Sequence, residues 1–413
     1  MRTVQEQLGA VLDAVAQVAP LDVALHDAVG CILAADVVAG ADLPLHALAA
    51  RDGYAVASAD TDAARSAEGD EPLHLPVAHD AHAGAPAPLR LVPGQAVRVA
   101  SGAPLPVGAD AVLPLEETDR GTVRVLVPRP VRPGEHVRRA GVDAAAGEVL
   151  IPAGTRLGAR QLSMAAAVGR ARVRVHPTPR VVILSVGDEL VEPGSPASPG
   201  VVHDANSHAL ATAVRDVGAS AIRVGVVGDD RAGLRETIED QLVRADLLLT
   251  TGGLSDTDRD TVKDVLAPLG TVRFDHVAMT PGRRQGFGAV GGLEHGSGAV
   301  PIFALPGHPV AAHVSFEVFV RPALRAIAGR AELFRPSVPA AATHGWASPA
   351  GIRQFVPALL VGSPEAGYEV TPLGAPGEVS LSALSRANAL AVVPEGVTSV
   401  RAGDHVHCLV LEG

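Results

Sequence analysis

The sequence predicts a multidomain chain, with a doubly wound, mainly parallel α/β domain preceded and followed by β-rich segments. Three observations carry that prediction. From about residue 180 to 330, continuous apolar runs such as Val181–Val186, Leu247–Thr251 and Val300–Leu305 alternate with helix-length patterns, as strands covered on both faces require. On either side the texture changes to short Val-rich runs separated by Pro and Gly, which reads as antiparallel β structure. The chain's 413 residues also exceed what one hydrophobic core organises.

Taken in order, the first element is an amphipathic helix, because Val4, Leu8, Val11, Leu12 and Val15 recur at helical spacing. Residues 20–45 are short apolar runs broken by Pro20, Gly30, Gly40 and Pro44. Residues 46–144 form a β-rich insertion with strands at Ala96–Ala100 and Thr122–Val127, and residues 60–90 within it read as long surface loops. A short helix is expected at Arg160–Val168 and a strand at Ala171–Val175. The α/β rhythm then places strands at Val181–Val186, Ala221–Val227, Leu247–Thr251, near Val272, and at Val300–Leu305. Helices are expected from Asn206, at Leu234–Val243, at Val262–Leu266, and as one long helix over Pro309–Ile327. Residues 331–413 return to β texture, with Val-rich runs at 389–393 and 406–411. The expected domains are residues 1–45 with 145–178, 46–144, 179–330 and 331–413.

Composition narrows the function. Lys+Arg 34 against Asp+Glu 45 gives a net charge of −11, and aromatics are only 2%. That balance argues against a nucleic-acid backbone, stacked bases or an anionic membrane as partner. Cys31 and Cys408 show no metal-binding or disulfide spacing. Met1–Ala19 contains Arg2, Glu6 and Asp13 without an unbroken apolar core, and Ser297–Phe316 carries three prolines. Neither a signal peptide nor a membrane span is expected, and the expectation is a cytoplasmic protein. The only lysine is Lys263, a compact ammonium in a chain that otherwise uses arginine.

In an open α/β sheet, ligands bind beyond the carboxyl ends of the strands. Four such ends carry reactive residue types: Ser185 to Glu189, Gly228 to Asp230, Thr250 to Asp260, and Leu305 to Pro309. In the third, Thr251, Gly252, Gly253 and Ser255 offer N–H and hydroxyl donors to a phosphate, and Asp256, Asp258 and Asp260 are hard ligands suited to Mg²⁺. The same loop reads equally as a solvated acidic turn with Asp260 capping the next helix. In the fourth, Gly307 leaves room for an anion before Pro309 opens a helix, which is also an ordinary helix start. Gly286 to Gly291 matches GxGxxG but no helix follows it, so the dinucleotide reading fails.

In this order the motifs resemble the molybdopterin molybdenumtransferase family, the MoeA-type proteins and the E domain of gephyrin. The resemblance rests on Asp52-Gly-Tyr-Ala55, Ser101 to Pro106, Gly134 to Gly141 with Asp143, and Pro152 to Thr155. It continues through Ser185 to Leu190, Thr251-Gly-Gly253 with Asp260, Pro281-Gly282, Leu305-Pro-Gly307 and Ala387-Asn-Ala389. It implies a MogA-like molybdopterin-binding α/β domain, a small C-terminal β-barrel-like domain, and a homodimer with a shared active site. It also implies a Mg²⁺-dependent reaction in which molybdate is inserted into adenylylated molybdopterin with release of AMP, the molybdopterin adenylyltransferase being a possible partner.

By that resemblance, Asp52, Glu189, Asp229 and Asp260 are the catalytic acids, and Asp229, Asp256 and Asp260 the metal ligands. Ser101, Asp143, Thr251, Gly252, Gly253, Ser255, Lys263, Arg283, Gly307, His308 and Arg353 would bind substrate. The sequence departs from the family pattern at Arg51, at Thr280 to Arg284, at His308 and at Glu378, which marks a divergent member. The Thr280 to Arg284 segment stands where a Lys-Pro-Gly-Lys/Met-Pro stretch is usual, so one expected cation is missing and another is shifted. Two alternatives stay open: a non-catalytic cofactor carrier or scaffold, and a molybdopterin adenylyltransferase or CinA-like nucleotide-processing enzyme.

Overall fold

A computed structural model of the chain describes residues 1–65, 72–196, 198–254, 260–291, 298–374 and 378–411. It divides into two compact units, one of residues 1–23, 28–34 and 174–413, the other of residues 24–27 and 35–173.

The first unit contains the α/β domain. From its start the elements are β1 (Arg180–Val186), α1 (Asn206–Val217), β2 (Ser220–Val227), α2 (Arg231–Leu242), β3 (Leu247–Gly252), α3 (Thr261–Leu266), β4 (Arg273–His276), β5 (Arg284–Val290), β6 (Val300–Leu305), α4 (Pro309–Ser315) and α5 (Arg321–Ile327). The sheet order is β2-β1-β3-β6-β5-β4. β1 runs parallel to β2 and β3, and β3 to β6, while β5 and β4 complete one side in antiparallel fashion. The chain winds outward from β1 to β2, then back across to β3, so the switch point lies between β1 and β3.

Period-two alternation in strands buried on both faces separates two cores. Val181, Ile183, Leu247, Leu249 and Phe303 pack on one face with α1, α4, α5 and the N-terminal helix Val4–Ala14. Val182, Leu184, Leu248, Ile302 and Ala304 pack on the other with Leu234 and Ile238 of α2 and Val262 and Leu266 of α3. The N-terminal helix opens with a capping box: Thr3 accepts the Glu6 N–H at 3.1 Å, and the Glu6 carboxylate accepts the Thr3 N–H at 2.8 Å.

The long helix expected over Pro309–Ile327 is continuous but contains a π-helical segment at Phe316–Val320 between α4 and α5. Pro322 supplies the reason. It has no N–H for the Val318 carbonyl, and its ring displaces that carbonyl, which widens the preceding turn.

Residues 331–413 form a closed five-stranded barrel of Ser337–Ala342, Arg353–Ser363, Gly367–Pro372, Ala389–Val393 and His405–Val410, shut by pairing of Arg353–Ser363 with Ala389–Val393. Its interior is filled by Ala340, Ala342, Ala358, Ala389, Ala391 and Cys408 around Val370 and Trp346, since a barrel this narrow admits few large side chains. The short strand Met279–Thr280, from the loop before β5, adds in parallel to Arg353–Gln354.

In the second unit a five-stranded sheet is ordered Ala111–Pro114, Gly53–Val56, Ala96–Val99, His74–Ala81, Arg124–Leu126. This corrects the expectation of loops throughout 60–90. His74–Ala81 is an interior strand, paired on both sides, with Leu75 and Ala81 buried. Pro76 and the polar side chains of its exposed positions masked the alternation, and strand pairing overrode local propensity. Asp52-Gly-Tyr-Ala55 enters the same sheet. A Cβ on Gly53 would stand 2.1 Å from the Leu113 carbonyl oxygen, and Tyr54 is buried with its hydroxyl donating to the Gly121 carbonyl at 2.9 Å.

Candidate active site

Strand register brings the four strand ends to one edge. Val186 of β1 stands opposite Val227 of β2 and Gly252 of β3, and Thr251 stands opposite Leu305 of β6. The loops that leave these positions hold the sequence-predicted acids and glycines.

The glycines at the end of β3 are fixed by the protein's own packing. Gly252 has φ +87°, and a Cβ there would lie 2.3 Å from the Val186 carbonyl oxygen. Gly253 has φ +64°, and its Cβ would lie 2.4 Å from Val262 Cγ2. Gly307 comes so close that a Cβ on it would lie 3.3 Å from Gly252 Cα. The third and fourth loops therefore meet backbone to backbone.

One side chain that sequence reasoning missed ties them together. Asn206, the first residue of α1, donates from Nδ2 to Thr251 Oγ1 and to the Gly307 carbonyl, each at 2.8 Å. Thr251 Oγ1 in turn donates to the Pro306 carbonyl at 3.0 Å. Asn206 Oδ1 is buried and has no partner among the described residues. Asp204 holds this corner from behind. It is 1% exposed and accepts from Ser185 Oγ at 2.8 Å, from the Ser207 N–H at 3.0 Å, and from the Ser207 hydroxyl. Arg223 donates to Ser207 Oγ at 2.8 Å and to Glu192 at 2.9 Å. The available signal was a polar Asp204-Ala-Asn206-Ser207 segment at a helix start.

The acidic residues line the β1 and β2 ends. Asp188 accepts the Asp229 N–H at 2.9 Å, and Asp229 accepts the Asp188 N–H at 3.3 Å, so the two loops clamp each other. The exposed Glu189 carboxylate folds over Gly187, where a Cβ would lie 2.5 Å from Glu189 Oε2. The Asp229 carbonyl accepts from Thr261 Oγ1 at 3.4 Å, which joins the β2 end to α3.

Asp260 caps α3, its Oδ1 accepting the Lys263 N–H at 3.3 Å, and its Oδ2 is paired with Arg284. Burial pushes the Asp260 carboxyl above the ordinary carboxylate range, while Arg284 pulls the other way. The helix-cap reading of Asp260 is thus what its geometry displays. Among the described residues, no three His, Cys, Asp or Glu side chains are grouped to hold a metal. Ser255 and Asp256 lie outside the described residues.

The remaining predicted residues are spread more widely. Lys263 is exposed on α3, and Arg283, Gly307 and His308 are exposed. Arg353 sits in the barrel beside Met279, its guanidinium held by Glu395 at 3.1 Å. Thr280 and Glu378 line one cleft with Val310, Trp346 and Gln354. In the second unit, Asp52 accepts the Ser101 N–H at 2.7 Å, Ser101 Oγ donates to the Ala50 carbonyl at 3.3 Å, and Asp143 is paired with Arg138. Arg51 forms an exposed ion pair with Glu116 at 2.7 Å.

Three family models match in succession: the MoeA N-terminal region (domain I and II) over residues 2–169, the probable molybdopterin binding domain over 182–326, and the MoeA C-terminal region (domain IV) over 339–411. The chain is 42% identical to molybdopterin molybdenumtransferase 1 of Mycobacterium tuberculosis, covering 98% of both chains. It is 31% identical to the molybdopterin molybdenumtransferase of Bacillus subtilis, covering 94% of this chain and 89% of that protein. The solved structure of the molybdopterin biosynthesis MoeA protein of Pyrococcus horikosii is similar over 100% of this chain and 99% of its own, with a TM-score of 0.82 at 30% identity. Among the described residues, no helix is long and apolar enough to cross a membrane.

Proposed function

The chain belongs to the molybdopterin molybdenumtransferase (MoeA) family, and from that premise we propose that it is a cytoplasmic enzyme that inserts molybdenum into molybdopterin. In the finer reading, its substrates are adenylylated molybdopterin, received from the molybdopterin adenylyltransferase, and molybdate. AMP leaves, and Mg²⁺ assists.

The observation that carries this reading is the meeting of four strand ends at one sheet edge, where Asn206 joins the Thr251–Gly252 loop to Gly307. The unpartnered Asn206 Oδ1 is an acceptor for the N–H donors of a pterin. Strand-end N–H groups around Gly252 and Gly253 serve the phosphate, as backbone donors beside a parallel sheet do. Glu189 and Asp229 supply carboxylates at the rim. The matches on both sides of the α/β domain favour the transferase over an adenylyltransferase or CinA-like enzyme.

Mg²⁺ takes carboxylate oxygens, and when bound it would stabilise charge on the adenylyl phosphate. Glu189 and Asp229 fit such a donor set in kind. Asp260 does not fit as arranged, because Lys263 N–H and Arg284 already occupy its two oxygens. That pairing also favours a second reading, a cofactor-binding protein without turnover. We further propose a homodimer in which Asp52, Ser101 and Asp143 of one chain serve the site of the other.

The test is to incubate the purified chain with adenylylated molybdopterin and molybdate, then recover the pterin and measure its molybdenum. Molybdenum bound in proportion to pterin, and only when the chain is present, is the expected result. Pterin that stays bound to the chain without acquiring molybdenum would reject the enzyme and favour the carrier.

A further inference from the structure

We propose that Arg284 is a tethered cation that occupies the divalent-metal position at Asp260, so that a metal ion binds there only by displacing the guanidinium. The inference rests on the metal-assisted reading above and names the residue of this chain that controls it.

Two adjacent arginines follow the Pro281-Gly282 turn, and the fold sends them opposite ways. Arg283 is exposed, whereas the Arg284 side chain is 19% exposed and faces an Asp260 side chain that is 8% exposed. The turn that aims Arg284 is held at several points. Gln285 Nε2 donates to the Gly282 carbonyl at 2.6 Å and to Ser315 Oγ of α4 at 2.7 Å. Gly282 has φ +95°, and a Cβ there would meet Ser315 Oγ at 2.7 Å, so the turn sits hard against the helix. The Val277 N–H donates to the Arg283 carbonyl at 2.7 Å, and Arg284 is in register with His276 of β4. Arg284 thus leaves a braced strand start and reaches Asp260 as part of the fold.

A carboxylate this buried stays ionised only beside a counter-charge. Oδ1 of Asp260 is taken by the α3 N-terminus, so the remaining oxygen accepts either the guanidinium or a metal ion. A guanidinium and a metal ion at that one oxygen repel each other, so they compete for it. The Arg284 guanidinium therefore offsets the Asp260 charge without metal and weakens any metal that competes for that oxygen.

The experiment is Mn²⁺ binding to the purified full chain, by calorimetry and by loss of the free-ion electron resonance signal, with no pterin present. Arg284→Gln is expected to bind Mn²⁺ at least tenfold more tightly than the unaltered chain, and Arg284→Gln/Asp260→Asn to lose that gain. Equal or weaker binding by Arg284→Gln, or a gain that survives Asp260→Asn, would overturn the proposal. Should Arg284→Gln fail to fold, Arg284→Lys retains a charge without the planar fork. It is expected to gain about threefold, and no gain would count against the proposal equally. Transferase activity is read separately with pterin. An active chain whose Arg284 variants show no Mn²⁺ gain overturns this inference and leaves the function standing, and an inactive chain with the gain does the reverse.

Discussion

Replacing Asn206 tests whether one amide holds the two central loops together. Its Nδ2 makes two hydrogen bonds, to Thr251 Oγ1 and to the Gly307 carbonyl, each 2.8 Å long. At about 1 kcal/mol net apiece, their loss in Asn206→Ala costs about 2 kcal/mol. Deleting the buried, unpartnered Oδ1 returns about 1 kcal/mol of that, leaving a net loss of about 1 kcal/mol. Asn206→Asp is worse, because a carboxylate cannot donate and sets a charged acceptor against the Gly307 carbonyl. We expect a loss of about 3 kcal/mol for it. Urea unfolding followed by circular dichroism gives both values, and molybdenum transfer should fall at least tenfold in each variant. If Asn206→Asp is as stable as the unaltered chain, or more stable than Asn206→Ala, the bridge is wrongly assigned.

Further predictions follow the same geometry. Gly252→Ala forces a side chain into a positive-φ position against the Val186 carbonyl, and should cost about 2–5 kcal/mol in a denaturant titration. A cost near zero would mean that the β1 and β3 ends do not touch as described. In the second unit, hydrogen bonds from Arg129 and from the Arg132 N–H hold the Glu135 carboxyl down from 4.5 to about 2. Its contribution to stability is complete above pH 4.5 and is lost as pH falls through about 2. Glu135→Gln should therefore flatten the acid limb of the melting temperature against pH, and an unchanged limb would remove this pair from the account. If the proposed homodimer shares its sites, mixed dimers of Asp52→Ala and Asp260→Ala chains should be more active than either altered chain alone. No recovery would reject a site shared between chains.

Much of the fold was legible because it rests on periodicity. The unbroken runs at Val181–Val186 and Leu247–Thr251 read as strands covered on both faces, and they form the centre of the sheet. His74–Ala81 was missed because its strand character comes from neighbours on both sides and not from its own pattern. The π segment at Phe316–Val320 was in principle readable from Pro322. At the site, the strand-end glycines were legible as residue types, but packing against Val186 and Val262 explains them before any ligand does. Asn206 and Asp204 were not legible as site residues, since an Asp-Ala-Asn segment at a helix start looks like ordinary capping. The sequence pointed to Arg283 as the cation of this segment, and only tertiary structure reveals that Arg284 points inward to Asp260 while Arg283 is exposed.

The most direct test of the whole account is AMP release from adenylylated molybdopterin by the purified chain, with molybdate and Mg²⁺ each present or omitted. The account predicts release that requires both, with molybdenum appearing in the pterin at the rate at which AMP appears in solution. Tight pterin binding without AMP release under any of these conditions would contradict it.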